Sequence, residues 1–231
     1  MVIRAVVFDV FGTLVDWRRG ITDAVTRVVG SEIDGAAFAD AWRAEYQPSM
    51  EPIRSGTRPW CNLDVLHAES LDRVADAFGA ELQPDQRQAL VTAWHGLPAW
   101  PEVKQALSDL RQDFWIAPLS NGHIALSIKL ARHNEMLWDA VLGAELARNY
   151  KPHPSVYQTA SSALQVNSGD ILMVACHSAD LAAAALCGLK TAYVARPDEK
   201  GTGRGESRPS GAVDYAAADL VDLAGQLQSR R

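Results

Sequence analysis

Short apolar runs recur along the chain without the strict alternation of a one-sided sheet: RAVVF at 4–8, FWIAPL at 114–119, AVLGA at 140–144, ILMVA at 171–175 and TAYVA at 191–195. Such runs predict strands covered on both faces, as in a parallel sheet. Between them lie helical patterns: PEVKQALSDL at 101–110, with Pro101 suited to a first turn, ALSIKLARH at 125–133, PSVYQTASSAL at 154–164, and SADLAAAALCG at 178–188, which ends at Gly188. Strand and helix alternate, so the expected class is α/β with a doubly wound, Rossmann-like parallel sheet. AVLGA is the least strand-like run, because Ala and Gly are poor strand formers.

From residue 16 to 98 the rhythm changes to amphipathic helices with no convincing strand. Ile21, Val25 and Val28 share one helix face before Gly30; Phe38, Trp42 and Tyr46 share another; Leu63, Leu66, Val74 and Phe78 suggest a third before Gly79. The chain therefore divides into a core of residues 1–15 and 99–231 and a helical insertion of residues 16–98. DEKGTGRGESRPSG at 198–211 is rich in Gly and charge and reads as a mobile loop before a last short strand near Tyr215.

Composition narrows the function classes. The chain has 231 residues and carries 22 basic against 28 acidic side chains, a net charge of −6. With no Lys/Arg run it lacks the electrostatic footprint of a nucleic-acid binder. Cys61, Cys176 and Cys187 are too few and too scattered for a disulfide framework or a paired-cysteine metal knuckle, which fits a reducing cytoplasm. No stretch of about 18 apolar residues and no signal-peptide pattern is present, so no membrane partner is expected.

In a doubly wound sheet ligands bind beyond the carboxyl ends of the strands. Asp9 follows the first strand, Ser120 and Asn121 the second, Lys151 comes shortly after the third, and Asp180 shortly after the fourth. A lone Asp before a Gly is ordinary turn chemistry. Four loops aiming polar groups at one rim mark a candidate site.

These segments resemble the haloacid dehalogenase superfamily: FDVFGT its first motif, LSNG its second, YKPHPSVY its third and the Asp180 segment its fourth, with residues 16–98 in the place of its helical cap. The resemblance implies Asp9 as nucleophile. It spans magnesium phosphatases and 2-haloacid dehalogenases, and two positions favour the second branch. The phosphatase acid/base two residues after the nucleophile is here Phe11, and an acidic member of the phosphatase metal shell is here Cys176, a poor match for a hard cation that wants oxygen ligands. A halide leaves without needing a proton. The dehalogenase branch is also similar in its WR-x-x-Y (Trp42, Arg43, Tyr46) and K-P-x-x-x-x-Y (Lys151, Tyr157) patterns. The departure is Ala175-Cys176-His177, where the best-known L-2-haloacid dehalogenases read S-S-N; His177 could position water or transfer a proton.

The resemblance implies further roles. Thr13 would hold a carboxylate, Lys151 would pair with Asp9 and Asp180, and Asp180 would orient Lys151 and the hydrolytic water. Arg43 would bind halide, although with Asp40 three residues away it also fits a surface ion pair. Ser120 and Asn121 would bind the substrate carboxylate with help from N–H groups at a helix start, or merely cap that helix. Tyr157 fits helix core and site equally. His67, His95, His123, His133 and His153 show no metal-ligand spacing and are assigned to surface or packing; Trp42 and Trp60 are candidate pocket walls. The expected reaction is hydrolysis of a small 2-haloacid through an ester on Asp9, with no metal or cofactor. A magnesium phosphatase and a non-catalytic binding protein are the alternatives, and the chain leaves room for a homodimer.

Overall fold

The computed structural model describes residues 2–229. Six strands, β1 (Ala5–Phe8), β2 (Trp115–Ser120), β3 (Leu142–Gly143), β4 (Ile171–Ala175), β5 (Lys190–Val194) and β6 (Tyr215–Ala217), form one all-parallel sheet in the order 3-2-1-4-5-6. β1 lies in the middle, with Ala5 opposite both Trp115 and Ile171. All of its residues are buried because both faces are covered, which is why the sequence shows an unbroken apolar run. The strand order reverses at β1 and β4, the switch point at which doubly wound sheets open a crevice.

Six α-helices separate β1 from β2 in the chain, and the first five fall in the 16–98 segment: α1 (Trp17–Val29), α2 (Gly35–Ala44), α3 (Tyr46–Arg54), α4 (Leu63–Ala77) and α5 (Pro84–Ala93). They start where polar side chains satisfy free N–H groups: Asp16 accepts from Arg19 N, Asp34 from Ala36 N and Ala37 N, and Asn62 from Val65 N. A 3-10 turn, Trp94–Gly96, follows α5. The remaining helices are α6 (Val103–Leu110), α7 (Ile124–His133), α8 (Ala144–Ala147), α9 (Pro154–Leu164), α10 (Ser178–Leu186) and α11 (Leu220–Ser229). α6 and α11 touch each other, as do α9 and α10. No helix among the described residues is long and apolar enough to cross a membrane.

Four differences from the sequence reading have physical causes. The third strand contracts from AVLGA to Leu142–Gly143, because Ala144 already begins α8. Gly143 stands opposite Ser120 at a φ of 121°, and a Cβ there would lie 2.2 Å from the Ser120 carbonyl oxygen, so no other residue fits the strand pair. Phe38, Trp42 and Tyr46 face one buried side as expected, but the helix breaks at Glu45, between α2 and α3. α11 adds a helix beyond those the sequence pattern predicts, its helically spaced Leu220, Leu223, Ala224 and Leu227 all buried. The 198–211 stretch is irregular, yet it is not a free surface loop, since Glu199 is only 2% exposed.

The histidines divide by burial. His133 and His153 are exposed, whereas His67, His95 and His123 are packed inside. His67 stacks on Trp94 at 4.3 Å, and burial pushes its pKa down to about 3, so it is neutral. His95 and His123 converge on Asp64, whose carboxylate lies 2.7 Å from His95 Nε2 and 3.5 Å from His123 Nε2. This contact ties α4 to the start of α7.

Candidate active site

Asp9 leaves the carboxyl end of β1 and is buried. Gly12, at a φ of 89°, turns the chain back so that Thr13 Oγ1 donates to Asp9 Oδ2 at 2.8 Å. The same hydroxyl accepts from Cys176 N at 3.0 Å, which ties the loop after β1 to the end of β4. Lys151 Nζ lies 3.3 Å from Asp9 Oδ1 and 2.8 Å from Asp180 Oδ2. Tyr157, buried on α9, donates its hydroxyl to Asp180 Oδ1 at 2.6 Å, so it is helix core and site at once.

The charges in this cluster hold one another. Burial pushes the Asp9 carboxyl up, but Lys151, His177 and Thr13 together outweigh it and leave Asp9 well below the usual carboxylate range. Burial likewise opposes the Lys151 ammonium, while Asp180 and Asp9 raise its pKa above the ordinary value. Asp9 is therefore an ionised carboxylate kept out of bulk water.

His177 sits at the N-terminal boundary of α10, with Nδ1 3.3 Å from Asp9 Oδ2 and Nε2 3.0 Å from Glu199 Oε1. Burial disfavours its charged form, but Cys176, Asp9 and Glu199 favour it, and its pKa stands well above the ordinary value. Cys176 is itself buried, and burial pushes its thiol up.

Asp9, Phe11, Arg43, Lys151, His177 and Asp180 all line one cavity of about 580 Å³, together with Asn121, Tyr157 and Glu199. Arg43 does not pair with Asp40. Asp40 is instead gripped by Arg18 through two bonds of 2.7 and 2.9 Å. The Arg43 guanidinium lies 4.1 Å over the Tyr46 ring and 5.2 Å over Trp17, and its buried Nη1 has no hydrogen-bond partner. Phe11 packs edge-on against Tyr46 and Trp94. Asn121 Oδ1 accepts from Lys151 N at 2.7 Å, which fixes the amide in the cavity that Asp9 also lines. Ser120 is buried just behind: its Oγ accepts from Gly122 N, and Ile124 N donates to Glu145, so these two N–H groups at the start of α7 are already engaged. Trp42 is buried and donates to Ser70 Oγ, and Trp60 packs at a tilt against Tyr150, so neither belongs to the cavity wall.

A magnesium ion of the phosphatase kind does not fit this donor set. One oxygen each of Asp9 and Asp180 already faces Lys151 Nζ, so the two carboxylates share a cation supplied by the chain itself. Cys176 offers sulfur to an ion that takes oxygen. Nor can the phenyl ring of Phe11 supply a proton.

Glu199 is the site residue that sequence reasoning missed. The rule that ligands gather beyond the carboxyl ends of strands applies to β5 as well as to the other four, and Glu199 lies five residues past Val194. Its placement in a Gly-rich charged stretch masked that signal. Trp17, from the start of α1, also reaches it, donating Nε1 to Glu199 Oε1 at 2.9 Å.

Comparison with known proteins agrees with this geometry. The haloacid dehalogenase-like hydrolase family matches residues 3–188. The chain is 30% identical to (S)-2-haloacid dehalogenase 1 of Pseudomonas sp. (strain CBS-3), over 84% of its own length and 85% of the relative's. Among solved structures, the defluorinating L-2-haloacid dehalogenase Rha0230 is 40% identical with a TM-score of 0.93, covering 98% of this chain and 95% of that one. The L-2-haloacid dehalogenase PA0810 is likewise 40% identical with a TM-score of 0.93, covering 98% and 99%. With FDVFGT, LSNG, YKPHPSVY and the Asp180 segment meeting at one rim, and this match running over most of its length, the chain belongs to the haloacid dehalogenase-like hydrolase family.

Proposed function

We propose that the chain hydrolyses small 2-haloacids to 2-hydroxyacids and halide. One observation carries the reading: an ionised, buried Asp9 carboxylate shares its cavity with an Arg43 guanidinium nitrogen that has no partner. Asp9 attacks C2 from the side opposite the carbon–halogen bond, halide departs, and an ester forms on the enzyme. Water then attacks the Asp9 carboxyl carbon and frees the hydroxyacid. Because only the first step occurs at C2, an L-2-haloacid gives a D-2-hydroxyacid and a haloacetate gives glycolate.

A carboxylate solvated by bulk water is a weak nucleophile. Here the helices of residues 16–98 act as the cap that excludes solvent, and Lys151 keeps Asp9 charged despite burial. Asp180 and Tyr157 hold Lys151 in place. Negative charge moves from Asp9 to the halogen in the transition state, and Arg43 supplies the donors for it. Asn121, its oxygen occupied by Lys151 N, offers its amide nitrogen to the substrate carboxylate, while Ser120 shapes that loop from behind.

The test is halide release from chloroacetate, 2-chloropropionate and fluoroacetate; the last is included because Rha0230 is a defluorinating enzyme. Release is expected to be unchanged by EDTA, since neither step uses a metal. Activity lost on chelation and restored by magnesium would reject the scheme.

Arg43→Lys is expected to lower kcat/KM for halide release by about 100-fold, the scale for losing a transition-state donor. Lysine keeps the charge but cannot reproduce the planar fork or its stacking on Tyr46. A wild-type rate would remove Arg43 from the halide site.

A further inference from the structure

Glu199 is a buried carboxylate with two donors on one oxygen, His177 Nε2 at 3.0 Å and Trp17 Nε1 at 2.9 Å. The far side of the same imidazole, Nδ1, is 3.3 Å from Asp9 Oδ2. Carboxylate, imidazole and nucleophile thus stand in line. The loop that brings Glu199 is fastened to the nucleophile loop: Arg196 Nε donates to the Thr13 carbonyl at 2.9 Å, and Glu199 N donates to the Arg196 carbonyl. Space for the glutamate exists because residue 12 is glycine; a Cβ there would lie 2.3 Å from Glu199 Oε1.

We propose that Glu199 is a positioning residue for the hydrolytic half-reaction: by accepting the Nε2–H of His177 it turns Nδ1 toward the Asp9 carboxyl group, where Nδ1 serves as general base for the attacking water. The proposal rests on the dehalogenase reading of the site. The other carboxylate within reach is less suited to that task, because both oxygens of Asp180 are held, one by Lys151 Nζ and the other by Tyr157 OH.

The proton count closes. Before reaction the imidazole is a cation between two carboxylates, Asp9 and Glu199. Alkylation turns Asp9 into a neutral ester and removes one of the charges that hold the Nδ1 proton, which passes to solvent as halide leaves. Nδ1 then takes a proton from water as the water oxygen bonds to the Asp9 carboxyl carbon. The tetrahedral adduct collapses with cleavage of the bond between that carbon and the substrate oxygen, and His177 protonates the departing oxygen to give the hydroxyacid. Asp9, left as the acid, returns its proton to Nδ1 and restores the starting ion pair. Glu199 keeps its charge throughout and transfers no proton, the same division of labour as in a carboxylate-oriented histidine elsewhere.

The experiment is rapid-quench halide release from 2-chloropropionate with wild type, Glu199→Gln, His177→Asn and the double variant, alongside intact-protein mass. Glutamine preserves volume and an oxygen for Trp17, so the test addresses charge and orientation. Glu199→Gln is expected to keep a halide burst near one equivalent per site, accumulate the alkylated protein, and turn over about 100-fold more slowly, the scale of a lost general base. The double variant should be no slower than His177→Asn within about twofold, because Glu199 acts only through His177. A role confined to anchoring the loop would instead remove burst and turnover together. Wild-type turnover in Glu199→Gln, loss of its burst, or multiplicative loss in the double variant would each overturn the proposal while leaving the dehalogenase reading intact. Absence of halide release in the wild type would overturn both.

Discussion

Asp9→Asn is expected to abolish steady-state halide release, a loss of about 10⁴-fold or more on the scale of removing a covalent nucleophile. The amide is nearly the same size and can still accept from Thr13, so the fold should persist while the attacking anion is gone. The wild type should reveal the same chemistry isotopically. In a single turnover in ¹⁸O water with enzyme in excess, the hydroxyacid receives an unlabelled oxygen from Asp9 and the label stays in the protein. Direct attack of water on C2 gives the reverse. Mass spectrometry of the product and of the peptide containing Asp9 reads both; labelled product with an unlabelled peptide would end the covalent mechanism.

Lys151→Met should have the second largest effect, on stability as well as rate. The substitution keeps an apolar stem but leaves Asp9 and Asp180 without their shared cation, and breaking a buried pair of this kind costs about 3–5 kcal/mol. The pH dependence has a definite sign. Asp9 has a folded pKa below its unfolded value, so its contribution is present above the unfolded value of 3.8 and fades as pH falls toward the folded one. Lys151, raised above 10.5, contributes fully below that value and loses its contribution only as pH rises through its folded pKa. Without Lys151, protonation of the carboxylates relieves the variant earlier than the wild type. Urea unfolding at pH 8 and pH 5 should therefore show the stability gap shrinking toward acid. A gap independent of pH would mean that the lysine acts through packing.

Most of this arrangement was legible in the chain because it depends on local chemistry. β4 and α9 match ILMVA and PSVYQTASSAL residue for residue, since long apolar runs and a Pro at the helix start leave little room for another register. Asp9, Lys151 and Asp180 could be placed at one rim because parallel topology forces strand ends together. Arg43 needed three dimensions: sequence distance favours Asp40, and only the packing of α1 against α2 shows that Arg18 takes that partner. Glu199 was hidden for a related reason. Gly and charged residues announce a solvated loop, and nothing local records that Trp17 and His177, 182 and 22 residues away, supply the donors that make its burial tolerable.

The close approach of the Glu199 carboxylate to Gly12 also makes two distant positions a single heritable unit. Any side chain at residue 12 would have to displace the oxygen that holds His177, and the φ of 89° already disfavours one. A lineage can therefore lose Glu199 first and still tolerate glycine, but it cannot acquire a larger residue 12 while Glu199 stays where it is. Substitution order is fixed by geometry, and a library that randomises the two positions together will reach combinations that stepwise change from residue 12 does not.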